Sequence, residues 1–351
     1  MHSPHDPVVY ADVASITTML KEQGLADFVA GRRVIVSGGA GFLGSWLVDA
    51  LYMLGAEHIT IVDNLATGRI DNISHLLGTG RVKLINLPVE KLEPLKGYDF
   101  VIHMAARPSP EDYVEHPVET LLASSRGTEV MLETARLSDA VFLLTSTSEV
   151  YGDAEVVPTP ETYWGKVNPI GPRSCYDEGK RYAEALTVAY ARQYGVDVRI
   201  ARIFNTYGPR LDPGASYARV VPRFIMQALR NEPVTIFGDG KQTRSFCYVS
   251  DMTIALLKLL LCGKCKGEVV NLGNDEEVTI LELANLIKEI VGSRSEIVFL
   301  PPREDDPKRR RPDISKARRL LNWEPTTPLR AGLQKTVEWF RRYAGGGAHV
   351  G

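Results

Sequence analysis

Tyr176 and Lys180 stand four positions apart in the run Tyr176-Asp-Glu-Gly-Lys180. On a helix, positions i and i+4 share a face, so this spacing sets a phenol beside an ammonium group. Free tyrosine loses its proton at about pH 10, and a neighbouring cation favours the phenolate. Such a pair can act as a base toward a substrate hydroxyl. The spacing also arises on helices that do no chemistry, so the pair gains meaning only from its neighbours. One neighbour is Thr145-Ser-Thr-Ser-Glu-Val-Tyr151-Gly, which ends an apolar run that reads as a strand. Thr147 there offers a hydroxyl that can share a substrate proton with Tyr176.

A second group of residues points to a cofactor. Val34-Ile-Val-Ser37 runs into Gly38-Gly-Ala-Gly41-Phe42-Leu43-Gly44 and then a helical pattern. Glycines at this GxxGxxG spacing permit a tight turn and let backbone approach a pyrophosphate, while the helix N-terminus supplies N–H donors. Glycine triplets also mark purely structural turns. Here a second strand ends in Asp63-Asn64, where a carboxylate can bond ribose hydroxyls and repel a 2′-phosphate. The expected cofactor is therefore NAD, held by Gly38, Gly41, Phe42, Leu43, Gly44, Asp63 and Asn64 with Tyr176 and Lys180. Arg69 nearby argues the other way, toward a phosphate. A bound nicotinamide cation would further favour the Tyr176 phenolate.

The elements that must position these groups alternate between strands and helices. Strands are predicted at Arg33–Ser37, Ile59–Asp63, Val82–Leu87, Phe100–Met104, Val141–Thr145 and Val198–Phe204, with helices at Phe42–Leu54, Pro117–Arg136 and Cys175–Tyr194. This predicts an α/β fold, a Rossmann-like doubly wound parallel sheet covered on both faces. Beyond Phe204 short strands (Val234–Phe237, Val269–Leu272) mix with helices at Val220–Arg230, Asp251–Leu261, Thr279–Val291, Ser315–Leu321 and Leu329–Tyr343. The expected organisation is an N-terminal extension (1–30), an NAD-binding domain (31–204, its sheet completed by segments within about 245–275), a smaller α/β substrate-binding domain (205–343) and a flexible tail (344–351). Val13, Ile16 and Leu20 in the extension suit an amphipathic helix followed by Phe28 and Val29. Whether it packs on the main body or on a partner stays open.

Composition narrows the function classes. The 351 residues are 44% hydrophobic and 24% charged with a formal net charge of −2, which gives no bulk attraction to nucleic acid or anionic membranes. No apolar run approaches the roughly 18 residues of a membrane span. Met1–Pro7 lacks a secretory pattern, so the cytosol is the expected compartment. No metal site is expected. Cys262-Gly-Lys-Cys265 is expected to be two free thiols where a helix ends, with a redox pair or disulfide as the alternative.

Taken together, GxxGxxG, the Ser/Thr strand end and YxxxK resemble extended short-chain dehydrogenase/reductases. Thr145–Asp153, Glu161–Arg181, Ala201–Arg210, Gly238–Phe246 and Asp305–Ile314 closely resemble the UDP-glucuronate decarboxylases (UDP-xylose synthases) within them. The likeness covers roughly residues 32–343. It implies that Tyr176 removes the sugar 4-hydroxyl proton as hydride passes from C4 to NAD. The resulting β-keto acid loses CO2, and hydride returns to give UDP-xylose. By the same resemblance Glu149 and Arg310 serve the decarboxylation, and Arg310 orients the carboxylate. Glu149 could instead simply satisfy nearby backbone. Ser109, Asn205, Val220, Val221, Arg244, Tyr248 and Arg310 are the expected substrate-binding residues, though core packing explains Val220 and Val221 equally well.

Several positions depart from the family pattern: Pro88, Arg107, Lys166 and Pro222-Arg223. They bear on substrate identity and leave Thr147, Glu149, Tyr176, Lys180 and Arg310 intact. The run Lys308-Arg-Arg-Arg311 could be a solvated or nucleic-acid-binding patch, but Glu304-Asp-Asp306 beside it favours contact with a sugar carboxylate or diphosphate. Expected partners are a UDP-sugar and a second copy of the chain, docked through Pro117–Arg136 and Cys175–Tyr194 as the resemblance implies. Two readings compete with decarboxylation: a nucleotide-sugar 4-epimerase or 4,6-dehydratase, and a non-catalytic NAD-binding sensor or scaffold.

Overall fold

A computed structural model describes residues 6–212, 219–302 and 309–345. The expectations for Glu304–Asp306, for Lys308 and for positions 346–351 of the tail fall outside these residues. Six strands follow the predicted rhythm: β1 (Arg33–Ser37), β2 (His58–Val62), β3 (Val82–Ile85), β4 (Phe100–His103), β5 (Val141–Thr147) and β6 (Asp197–Ile203). With Val269–Leu272 at one edge they form a seven-stranded sheet in the order Val269–Leu272, β6, β5, β4, β1, β2, β3. Every pairing in it is parallel.

Alternation along β1 shows how the sheet is covered. Val34 and Val36 join one apolar cluster, whereas Ile35 joins another, because successive strand residues face opposite sides. The first cluster holds α1 (Pro7–Glu22), α2 (Phe42–Met53) and the helix Val249–Leu261; the second holds α5 (Arg126–Ser138) and α6 (Ser174–Tyr194). Strand order reverses at β1, between β2 and β4. That switch point opens a crevice at the carboxyl ends of the strands.

Two expectations are corrected. The single helix Pro117–Arg136 is two, α4 (Pro117–Ser124) and α5, and a short helix α3 (Pro110–Glu115) precedes them. Ser125 breaks the run at φ −96°, ψ −80°, and its hydroxyl donates to the Leu121 carbonyl at 2.6 Å. A side chain that bonds the preceding turn in this way competes with helix continuation. The Cys262 and Cys265 thiols are joined as a disulfide. A 3-10 turn over Gly263–Cys265 brings the two Cα atoms to 5.3 Å, within bonding reach. Cys175 and Cys247 are buried and free.

Residues 1–30, whose packing the sequence leaves open, lie on the main body over their described part. Asp6 caps α1 by accepting the Val8 and Val9 N–H groups, and Pro7 supplies a preset first turn. Val9, Val13, Ile16 and Leu20 are fully buried against α2 and Val249–Leu261. Asp12 accepts hydrogen bonds from the Tyr248 hydroxyl at 2.8 Å and from Lys335 Nζ at 2.5 Å. Val29 is buried as well, while Phe28 is 55% exposed.

The later segments bring a second layer to the crevice. Val234–Phe237 pairs with Ile297–Leu300, and Thr243–Ser245 lies between Glu277–Thr279 and Arg309–Arg310. In that small sheet Arg310 is in register with Arg244. Among the described residues no helix is long and apolar enough to cross a membrane. None of their His, Cys, Asp and Glu side chains gather in threes that could hold a metal ion. Asp12→Ala strands a buried hydroxyl and should cost about 1–3 kcal/mol in urea unfolding. Phe28→Ala should change stability by less than about 0.5 kcal/mol. Equal unfolding midpoints for both variants would remove Asp12 as the anchor of α1.

Candidate active site

A cavity of about 1220 Å³ fills the crevice. Its cofactor half starts at the β1–α2 turn. Gly38 has φ +74°, and a Cβ there would stand 2.7 Å from the Ala105 backbone nitrogen. A Cβ on Gly44 would stand 2.1 Å from the Gly38 carbonyl oxygen, so the turn closes only with glycine. Gly41 precedes the first turn of α2, whose N-terminus meets the cavity lined by Phe42 and Leu43. Asp63 accepts the Ala40 and Leu65 N–H groups, both at 2.9 Å, and so ties the two strand-end turns together. Burial raises its pKa, against those two backbone hydrogen bonds.

These residues fit a dinucleotide: a glycine cradle, an open helix N-terminus and a carboxylate at the next strand end. Asn64 lies beside them, exposed, with its side-chain oxygen accepting from Ala66 N. Arg69 is engaged by Asp71 at 3.4 Å and Asp212 at 3.8 Å, and lies over the Tyr343 ring. Its charge is therefore shared with carboxylates. Pro88 lines the same half of the cavity.

The Tyr/Lys pair sits at the start of α6, buried, as the spacing predicts. Lys180 Nζ donates to the Thr145 carbonyl at 2.9 Å, and burial lowers its pKa to about 8 against the pull of Glu184. Burial, and then the charge of Lys180, lower the pKa of the His103 imidazole to about 3 and so hold it neutral. Thr147, the last residue of β5, lines the cavity beside Tyr176. Burial and then Glu149 push Tyr176 up to about 12, while Thr147 and Arg219 favour its phenolate. Its ring stacks on Tyr113 from α3, with centroids 5.3 Å apart.

Next to this pair lies an ion cluster. Glu149, on the turn after β5, accepts hydrogen bonds from Arg310 at 2.5 and 2.9 Å and a third from Arg173. Burial alone would raise the Glu149 pKa, but Arg310 and Arg173 hold it below the ordinary value. Of the basic run, only Arg310 lines the cavity among the described residues; Arg309 turns to Glu277. Opposite facing of neighbours on a strand accounts for the difference.

The remaining expected residues divide. Ser109, Asn205, Val220, Val221 and Arg244 all line the cavity, and the Asn205 Nδ2 group is buried without a partner among the described residues. Tyr248 does not line it; its hydroxyl is committed to Asp12 and its ring to Tyr207. Among the family departures, Arg107 pairs with Asp112 at the cavity edge, and Lys166 pairs with Glu155 in solvent. Arg223 lies over the Phe237 ring and donates to the Thr235 carbonyl. Sequence reasoning missed Arg173, Arg219 and Tyr113. Only Arg173 carried a signal, as a cation just before a helix that bears the Tyr/Lys pair.

The chain is similar to known proteins of one family. Residues 34–273 match the NAD dependent epimerase/dehydratase family. The chain is 52% identical over 312 residues to UDP-glucuronic acid decarboxylase 1 of Danio rerio, covering 89% of this chain and 73% of that one. It is 49% identical over 310 residues to UDP-glucuronic acid decarboxylase 3 of Arabidopsis thaliana, covering 88% and 89%. Among solved structures it is similar to a UDP-glucose 4-epimerase of Thermotoga maritima with UDP-glucose (35% identity, TM-score 0.79, covering 89% and 99%). It is also similar to a mutant UDP-glucuronic acid 4-epimerase of Bacillus cereus in complex with UDP-4-deoxy-4-fluoro-glucuronic acid and NAD (30% identity, TM-score 0.79, covering 89% and 99%). The chain belongs to the NAD dependent epimerase/dehydratase family.

Proposed function

We propose that the chain is an NAD-dependent decarboxylase that converts UDP-glucuronate to UDP-xylose. The observation that carries this reading is the meeting of Glu149, Arg310 and Arg173 beside Tyr176 in one cavity. Relatives named UDP-glucuronic acid decarboxylase, about half identical over most of the chain, support it.

Gly38, Gly41, Phe42, Leu43, Gly44, Asp63 and Asn64 would hold NAD, with Tyr176 and Lys180 at the reacting end. When bound, NAD supplies a hydride acceptor for sugar C4 and later the donor that restores it. Tyr176, beside Thr147 in the cavity wall, takes the proton from the 4-hydroxyl. Lys180 is charged below about pH 8, while Thr147 and Arg219 favour the Tyr176 phenolate that burial otherwise disfavours. With a ketone at C4, the C5 carboxylate is β to it, so the electron pair left by CO2 delocalises into the ketone. Arg310 and Arg173 orient the carboxylate, and Glu149 handles the proton at C5 directly or through water. Ser109, Asn205, Val220, Val221 and Arg244 would contact the nucleotide-sugar.

A homodimer is part of this reading. α4 exposes Val118, Leu121 and Leu122, and α6, which packs on it, exposes Tyr182 and Tyr194. A second copy would cover this apolar face. In the cytosol, the proposed compartment, the Cys262–Cys265 pair would be open to reduction.

Incubation with UDP-glucuronate should release CO2 and yield UDP-xylose; retention of the carboxylate with an inverted C4 would identify an epimerase. Tyr176→Phe should lower turnover by roughly 10²–10⁴. Glu149→Gln and Arg310→Ala should slow CO2 release by about 10²–10³ and C4 oxidation much less, as rapid-mixing absorbance of reduced cofactor against CO2 would show. Equal loss of both steps would refute this division of roles. In light scattering the protein should have twice its 38.8 kDa chain mass, and Val118→Glu with Leu121→Glu should yield monomer.

A further inference from the structure

Asp177 follows the catalytic tyrosine on α6, yet it does not line the cavity. It is 5% exposed, and its Oδ1 atom is buried with no hydrogen-bond partner among the described residues. Its other oxygen, Oδ2, lies 3.8 Å from Arg173 Nε, too far for a hydrogen bond. Arg173 in turn bonds Glu149, which bonds Arg310. The four side chains form a row: Arg310, Glu149, Arg173, Asp177. Among the described residues, Tyr113 from α3 and Cys175, Tyr176 and Glu178 on α6 are further titratable groups whose charges reach Asp177 or its partners.

With both carboxylates ionised the row is neutral: two guanidinium cations face two carboxylate anions. A glucuronate carboxylate bound to Arg310 and Arg173 adds one more anion where water is scarce. One proton restores neutrality, and the two carboxylates are unequally placed to accept it. Glu149 is held by three hydrogen bonds from two arginines, which favour its charged form. Asp177 has one distant cation and a bare oxygen. We propose that Asp177 is a positioning residue that takes up a proton from solvent as the substrate carboxylate binds, leaving Arg173 to hold that carboxylate and Glu149. This rests on the decarboxylase reading above.

The physical setting agrees with the assignment. Burial, then the charge of Glu149, push Asp177 up to about 7, against Arg173 and Arg310. Below that pH it is already neutral and substrate binding needs no proton. Above it, ionised Asp177 competes for Arg173, so substrate binding must weaken as pH rises. Product differs from substrate here. Once CO2 has gone and C5 has taken a proton, the row carries one excess positive charge until Asp177 ionises. UDP-xylose binding therefore leaves Asp177 free to give its proton back.

The test uses Tyr176→Phe protein, which turns UDP-glucuronate over too slowly to disturb a titration. Calorimetric titration in two buffers of different ionisation enthalpy counts the protons taken up. At pH 8, UDP-glucuronate should bring in about one proton, falling toward none at pH 6, and UDP-xylose should bring in none. Adding Asp177→Asn should abolish the uptake, and Asp177→Glu should restore part of it. In otherwise unaltered enzyme, KM for UDP-glucuronate should rise up to about tenfold per pH unit above 7, and Asp177→Asn should flatten this rise. Uptake that persists in Asp177→Asn, or that UDP-xylose matches, overturns the proposal. So does absence of uptake at every pH in the Tyr176→Phe protein, whether or not the Asp177 variants fold. Failure of the wild type to release CO2 would instead overturn the decarboxylase reading, which the proton count does not measure.

Discussion

Glu149 gives up most of its water on burial and receives two guanidinium groups in exchange. A carboxylate shielded in this way keeps its charge only where cations and donors replace solvent. The cations come from far apart in the chain: Arg173 from the loop entering α6, and Arg310 from a two-residue strand of the small sheet. Losing either partner would leave charge stranded, at a cost of about 3–5 kcal/mol in comparable buried pairs. The two layers of the molecule are thus joined at the place where the chemistry is proposed. Arg310 is held in place from behind as well, since its carbonyl accepts the Ser245 hydroxyl at 3.0 Å.

The cofactor half obeys a different constraint. There the limiting quantity is space, because the backbone around Gly38 and Gly44 approaches itself too closely for any Cβ. Asp63 adds a polar tie between the β1 and β2 turns, so the strand ends hold one geometry before any ligand arrives. A rigid cradle on one side and a charge-matched row on the other leave Tyr176 between them. Its own environment disfavours the phenolate. Base strength must then come from what occupies the cavity, which ties proton removal to a filled site.

Much of this was legible in the residues. The central strands announce themselves as short Val/Ile/Leu runs because they are buried on both faces, and the glycine turn declares itself because no other residue fits. Tyr176, Lys180, Thr147, Glu149 and Arg310 meet as expected. What escaped depends on contacts between distant segments. Arg219 and Tyr113 have no local pattern, since each matters only through the Tyr176 side chain that the fold brings to it. Tyr248 sits beside family-like residues, yet its hydroxyl points to α1, a segment the resemblance does not cover. The break at Ser125 was hidden because helical periodicity continues through it.

The contact of Asp12 with Lys335 spans 323 positions, and Asp6 likewise meets Arg342 at 3.0 Å. These are among the most sequence-distant contacts between the described residues, and they bind α1 to the helix Leu329–Gly345. A ribosome adds about 5–20 residues per second, so α1 must wait on the order of tens of seconds before its charged partner leaves the exit tunnel. Meanwhile its apolar face can rest on α2, which is made early. Tyr248 and the helix Val249–Leu261 arrive later, and Lys335 and Arg342 later still. The seam between α1 and the helix Leu329–Gly345 therefore closes only after the 323 positions that separate Asp12 from Lys335 have been made.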